Sequence, residues 1–307
     1  MIVSVIIPCY NHADYLEARI ESVLNQTYKK FEIIILDDCS NDNTAEILTQ
    51  YAKHPLVKHC IFNKENSGST FHQWNKGIAL AQGDLIWIAE SDDVAHEDFL
   101  KIMVQQFEHN DNLRLAYSQS YRMNAQGELT GTWKTHTDDI DVQQFEHSFS
   151  MCGLDFIKRY FKEKNIIPNA SAVVFKKSSF YDMGAANPEL KYIGDWDLWY
   201  RLLSQGDIYY HHECLNYFRY HDTSVIAKAF QNSSRPIELE MQVTLFFKSL
   251  LIFFKHDPEL NRQFKRSLKF AIRNTFQLAK QQQPLQAQHF WFVAKQYIHL
   301  IFKLRFI

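Results

Sequence analysis

VSVIIPCYN (residues 3–11), FEIIILDDCS (31–40) and LIWIAESDD (85–93) follow one pattern: a short β-branched or aromatic run that stops at a polar, mostly acidic turn. Runs this short and this uniformly apolar suit strands buried on both faces, as in parallel sheets. The reading places strands at Val3 to Ile7, Phe31 to Leu36, Val57 to Phe62 and Leu85 to Ile88. Between them apolar residues recur at helical spacing: Leu16, Ile20, Val23 and Leu24, then Ile47, Leu48 and Tyr51, then Phe71, Trp74 and Ile78. Each intervening segment is long enough for a right-handed crossover, so an α/β, Rossmann-like, mostly parallel sheet flanked by helices is expected.

Outward from this frame, Phe99, Leu100, Met103, Val104 and Phe107 mark a further helix leading into a strand near Leu115 to Tyr121. Residues 122 to 165 are polar and irregular and read as an insert, with a hairpin tip at Gly127-Glu128-Leu129. A strand at Ser171 to Phe175, a helix with Leu198, Trp199, Leu202 and Leu203 on one face, and two strands at Tyr209-Tyr210 and Tyr217 to Tyr220 complete the expected first domain, residues 1–225. Residues 226–307 read as a helical, basic C-terminal region of about three helices, interrupted at Pro258 and Pro284.

The chain has 307 residues, enough to bury a large core, and its 9 Gly and 7 Pro exclude collagen-like and low-complexity classes. Five widely spaced cysteines without a CxxC pair suggest neither a disulfide framework nor a zinc site, and a reducing, cytoplasmic setting is expected. MIVSVIIPCYN lacks a basic leader and meets a proline at position 8, so it reads as a strand and not as a signal peptide. The apolar run Val243 to Phe254 contains Lys248 and falls short of the roughly 20 residues a membrane span needs. The net charge of −2 conceals an asymmetry: residues 261–307 hold nine bases and no acid, leaving 24 bases against 35 acids elsewhere, a net of −11. Such a tail faces an anionic partner, either a membrane surface or the acidic body itself. No nucleic-acid partner is expected.

In open parallel sheets ligands bind beyond the carboxyl ends of the strands. The polar groups there are Pro8-Cys9-Tyr10-Asn11, Asp37 to Asp42, Asn63 to Ser69 and Glu90-Ser91-Asp92-Asp93. Gathered carboxylates repel one another unless a cation intervenes, so Asp92 and Asp93 make a candidate oxygen site for Mg²⁺ or Mn²⁺. The competing role for Ser91 or Asp92 is to cap the helix that follows. No GxGxxG follows the first strand and no GxxxxGK[ST] occurs, which disfavours dinucleotide enzymes and P-loop NTPases.

Taken in order, SVIIPCYNHADYLEARIESVLNQTY, LDDCSNDNT, NSGSTFHQWNKGIALAQGDLIWIAESDD, GDWDLWYRL and YRYHDTS resemble the motifs of family 2 glycosyltransferases with the GT-A fold, over roughly residues 2 to 225. The resemblance implies inverting transfer from a nucleotide-sugar, a UDP- or dTDP-sugar, to a hydroxyl of a glycan or lipid-linked acceptor in surface polysaccharide synthesis, at the inner face of the cell membrane. It implies donor contacts from Pro8, Tyr10, Asn11, Asp37, Asp38, Asn66, Lys76, Ser91 and Asp92, with Asp37 or Asp38 accepting from the base imide. It implies a divalent metal, Mn or Mg, held by Asp92 in the DxD position with Asp93 and His221, and Asp195 as the base that takes the acceptor proton. Two positions depart from the family pattern, Glu90 for the first acid of DxD and Gly194 for the first acid of Glu-Asp-x-Asp. They sustain the alternative of a catalytically silent GT-A-like binding domain. Asn169 and Ser171 are further candidates for the acceptor side. For Trp133, Trp196 and Trp199, stacking on a sugar face competes with core packing.

Overall fold

The computed structural model of the chain describes residues 1–161, 164–222, 224, 227, 237–281, 291, 292 and 295. Ten strands form one sheet: β1 (Val3–Cys9), β2 (Phe31–Asp37), β3 (Val57–Phe62), β4 (Leu85–Ile88), β5 (Val94–Ala95), β6 (Leu113–Met123), β7 (Leu129–Thr132), β8 (Phe149–Cys152), β9 (Val173–Lys176) and β10 (Asp207–Arg219). Their order is β3-β2-β1-β4-β9-β6-β10-β5, with β7 paired to β6 and β8 to β10. The β3-β2-β1-β4 half is parallel, as is β6 with β10, while β9 runs antiparallel to both its neighbours. Helices α1 (Ala13–Leu24), α2 (Thr44–Tyr51) and α3 (Thr70–Leu80) are the three crossovers, and α4 (Phe99–His109) leads into β6.

Every residue of β1, β2 and β4 is buried, which accounts for their unalternating apolar runs. Pro8 is tolerated in central β1 because β4 pairs with β1 only as far as Ile6, so the missing N–H falls beyond the end of β4. Gly77 on α3 is required by close approach: a Cβ there would lie 2.4 Å from Ile6 Cγ2. The same α3 buries Phe71, Trp74 and Ile78.

Two expectations change in detail. The expected tyrosine segments fall in one long strand, β10, which takes in 209–210 and 217–219 and leaves Tyr220 just beyond its end; its register against β6 shifts between Asp207 and Ile208, between His211 and Cys214 and again between Cys214 and Asn216. Bulges of this kind break the alternation that a sequence reading relies on. The 122–165 insert is also more ordered than its polarity suggests. It carries the β6–β7 hairpin, with Gly127 at φ 86°, then β8 and the short helices α5 (Val142–Phe145) and α6 (Gly153–Phe156). Beyond it α7 (Lys177–Asp182) and α8 (Gly194–Leu203) flank β9 and β10 in sequence.

By packing the chain divides into two units, Met1–Pro188 with Leu198–His221, and Glu189–Asp197 with Asp222–Ile307. The second unit takes Glu189–Asp197 because Trp196 packs on Phe246, ring centroids 4.6 Å apart, and Tyr192 N donates to Gln242 Oε1 at 2.9 Å. Its described helices are Ile237–Phe253 and Pro258–Gln281, and the further helix expected past Pro284 lies almost wholly outside the described residues. Among the described residues no helix is long and apolar enough to cross a membrane.

Candidate functional site

The carboxyl ends of β1 and β2 are tied into one edge by their own loops. Asn11 and Cys39 both take left-handed backbone, φ 54° and 65°, which few non-glycine residues adopt. Asn11 N donates to Ser40 Oγ at 2.9 Å, and Asn11 Oδ1 accepts from Asn41 N at 2.8 Å, so each loop braces the other. Asp37 and Asp38, adjacent in sequence, have different surroundings. Asp38 Oδ1 accepts from Asn63 Nδ2, Gln73 Nε2 and Ser67 N at 2.7, 2.8 and 2.9 Å, and its Oδ2 accepts from Ser67 Oγ at 2.8 Å. Asn66 Nδ2 donates to the Asp38 carbonyl at 3.0 Å. Asp38 therefore fastens the whole β3–α3 loop. Among the described residues, Asp37 Oδ2 accepts only a 3.2 Å bond from Ser40 N, and its buried Oδ1 has no hydrogen-bond partner. An orphaned buried carboxylate oxygen at a strand end is an acceptor awaiting a donor.

At the end of β4 the adjacent aspartates again diverge. Asp92 Oδ2 lies 2.9 Å from His221 Nε2, and His12, Asp92 and His221 bring three ligand atoms within 4.8 Å of one another. Burial opposes ionisation of Asp92, but the hydrogen bond from His221 and the field of His12 outweigh it, leaving its carboxyl below the usual carboxylate range. His12 Nδ1 is 2.8 Å from Ser91 Oγ, which orients the ring. Tyr15 packs beside both imidazoles, and the Arg219 guanidinium lies over its ring.

Asp93 departs from expectation: it is not part of this cluster. Its carboxylate faces the interior, where Oδ1 accepts from Arg219 N at 2.9 Å and Oδ2 lies 3.9 Å from the fully buried Arg19 guanidinium. Burial and the charge of Asp92 push Asp93 up to about 7, and burial pulls Arg19 down to about 10. Arg19 Nε donates to the Glu90 carbonyl at 2.8 Å, and Arg219 Nε to the Asp92 carbonyl at 2.7 Å, so two arginines hold the backbone of the 90–93 turn. Glu90 is also turned inward: Oε1 accepts from Trp74 Nε1 at 2.8 Å, and burial with the nearby aspartates raises it to about 8. A set of two imidazoles and one carboxylate fits a borderline divalent ion such as Mn²⁺ better than Mg²⁺, which prefers all-oxygen shells.

The sequence pattern of glycosyl transferase family 2 matches residues 4–183. The chain belongs to that family. A putative teichuronic acid biosynthesis glycosyltransferase, TuaG of Bacillus subtilis, is 29% identical over 258 residues, covering 83% of this chain and 94% of its own. An uncharacterized glycosyltransferase of Rickettsia typhi is 30% identical over 230 residues, and the match covers 72% of this chain but only 64% of that protein. The crystal structure of residues 1–349 of S. aureus TarS superposes with a TM-score of 0.67 at 17% identity, over 99% of this chain and 82% of that one. The likeness shows a shared GT-A fold, with the expected mixed α/β sheet.

Within this family 2 fold the other predicted positions fall as follows. Tyr10 is 42% exposed at the end of β1. Lys76 Nζ donates to Asn63 Oδ1 at 2.6 Å, and Asn66 Oδ1 accepts from Gly68 N, so both shape the β3–α3 loop beside Asp38. Ser171 Oγ accepts from Glu90 N at 3.2 Å, and Asn169 caps the turn before β9 and bonds to Ser120 Oγ and Asn216 Nδ2; both are buried braces. Asp195 stands half-buried in the first turn of α8 and belongs by packing to the second unit, whereas the strand-end groups all belong to the first. Trp199 is fully buried against Trp74 and Phe175, Trp196 packs on Phe246, and Trp133 stacks on the exposed Tyr220. His12 is the functional candidate that the sequence reading passed over, although it directly follows the Pro8–Asn11 turn. Arg19 was signalled by its place on the apolar face of α1, beside Leu16, Ile20 and Val23.

Proposed function

We propose that this chain is an inverting glycosyltransferase that moves a sugar from a nucleotide-sugar, UDP- or dTDP-linked, to a hydroxyl of a glycan or lipid-linked acceptor in surface polysaccharide synthesis at the cytoplasmic face of the membrane. The observation that carries the reading is the convergence of His12, Asp92 and His221 at the carboxyl end of β4, next to the polar ends of β1 and β2. Two further supports come from similar proteins: the teichuronic acid name of TuaG, and a TarS structure in complex with UDP-GlcNAc that matches with a TM-score of 0.62 at 17% identity.

His12, Asp92 and His221 would hold a divalent cation, which when bound supplies charge to neutralise a leaving diphosphate. In this reading Asp37 Oδ1 would offer the base imide an acceptor beside Pro8, Tyr10, Asn11 and Asp38, with Ser91 and Asn66 contributing from loops and Lys76 from α3. Asp195, at the start of α8, is the base assigned to the acceptor hydroxyl. An inverting transfer needs such a carboxylate opposite the leaving group, and a positioned base contributes about 10²- to 10⁴-fold. In this reading Glu90, a buried partner of Trp74, is no ligand, and His12 would take the place of a second acid.

The test is release of nucleoside diphosphate from a panel of UDP-, dTDP- and GDP-sugars with Mn²⁺, comparing wild type with Asp92→Asn. Turnover with one donor, lost in the variant together with Mn²⁺ binding measured by electron paramagnetic resonance, is the expected result. Nucleotide binding without turnover on any donor would replace this reading with a binding domain.

A further inference from the structure

The helix Pro258–Gln281 has two faces of opposite character. One buries Leu260, Phe264, Leu268, Ala271, Ile272, Thr275 and Ala279. It packs on the helix Ile237–Phe253, with the Phe264 ring tilted against Phe247 and Phe254 and Thr275 bonded to Thr244. The other face is exposed and carries Arg262, Arg266, Lys269, Arg273 and Lys280. At about 100° per residue these five bases fall within an arc of about 60°, and their Cα atoms run along about 27 Å of helix. From residue 261 to 281 there is no acid, and among the described residues none of the five takes part in an ion pair.

An unpaired basic stripe is costly in self-repulsion unless something anionic lies against it. The apolar residues beside it say what kind of surface that is. Phe270, 66% exposed, flanks the stripe midway along the helix, and Ile252 and Phe253, also exposed, sit at the end of the preceding helix just before the turn that leads into it. A row of bases flanked by bare aromatic and aliphatic side chains is the composition of a helix lying in a lipid interface, with charges at the headgroups and rings at the acyl boundary.

We propose that the exposed face of Pro258–Gln281 docks on an anionic lipid leaflet, through Arg262, Arg266, Lys269, Arg273 and Lys280 with Phe270 as the inserted ring. This rests on the proposed transfer reaction only for its purpose, since a lipid-linked acceptor is met at such a surface; the docking itself is a property of the helix. It places the contact on this helix, separately from the apolar and basic stretch 290–307, which lies almost wholly outside the described residues.

The experiment is co-sedimentation of the full-length chain with vesicles of phosphatidylcholine alone or with about one third phosphatidylglycerol, at low and high salt. Wild type pellets with the anionic vesicles at low salt, and binding fades as salt rises. Arg266→Glu with Arg273→Glu lowers that partition by at least about tenfold, while thermal melting and donor hydrolysis stay at wild-type values. Phe270→Ser weakens binding without changing its salt dependence. Because the altered residues are exposed and outside the strand-end cluster, hydrolysis reports on the transfer reaction and sedimentation on the docking, so either can fail alone. Three results overturn the proposal: no binding of wild type to anionic vesicles, equal binding to neutral ones, or wild-type binding by the double reversal.

Discussion

Asp37 and Asp38 have the same side chain and neighbouring positions, yet the structure assigns them opposite responses to Asn. Asp38→Asn keeps one carbonyl oxygen for Asn63, Gln73 and Ser67 N but removes its charge, and sets an amide N–H₂ where Oδ2 accepted from Ser67. Hydrogen bonds to charged groups contribute about 1.5–3 kcal/mol against about 1 for neutral ones, so four weakened bonds amount to about 3 kcal/mol. For a chain of this size that is a fall of roughly 5 °C in Tm. Asp37→Asn removes a buried charge, keeps a carbonyl oxygen for the one long bond from Ser40 N and exchanges one unpartnered polar atom for another, so its cost stays under about 1 kcal/mol. Thermal melts followed by circular dichroism, with and without UDP, separate the two. Asp38→Asn melts early with or without nucleotide, whereas Asp37→Asn melts with wild type but loses the UDP-induced rise. Equal destabilisation by both variants, or an Asp38→Asn that melts with wild type, would refute the assignment of Asp38 as the loop fastener.

Two further outcomes are expected, the first from the proposed role of Asp195 and the second from the burial of Glu90. Asp195→Asn lowers kcat by about 10² or more with donor affinity unchanged; titration calorimetry with the donor checks this, and an equal loss in binding places Asp195 in the donor pocket. Glu90 gives a pH signature: its folded pKa near 8 exceeds the usual value of about 4.3, so between those limits the folded chain holds a proton that the unfolded chain has released, and stability falls as pH rises. Relative to wild type, Glu90→Gln is therefore unaffected below pH about 4 and gains stability progressively up to pH about 8. Urea titrations with chelator present measure the difference, and a gap that does not change with pH contradicts an inward, protonated Glu90.

The sequence by itself determined the sheet and the place where chemistry gathers. β1, β2 and β4 fall where the apolar runs lie, because a strand buried on both faces needs apolar residues throughout, and that requirement is local; β3, an edge strand only partly buried, keeps Lys58 and His59 among its apolar residues. Their polar ends are equally local, since a buried run must stop where the chain returns to water. What only the tertiary structure decided is which of the gathered side chains meet. His12, Asp92 and His221 are separated by 80 and 129 residues, and their meeting depends on β1 lying beside β4 and on β10 returning across the sheet through three register shifts. The sorting of Asp92 from Asp93, and of Asp37 from Asp38, was equally hidden. Neighbouring residues in a turn point to different sides, and which side is interior depends on partners supplied by other elements: Arg19 from α1 for Asp93, and Asn63, Ser67 and Gln73 from the β3–α3 segment for Asp38. A pair of carboxylates in sequence states only that charge is present; the low-dielectric interior and the donors packed around each one decide which fastens the fold and which keeps an unpartnered oxygen.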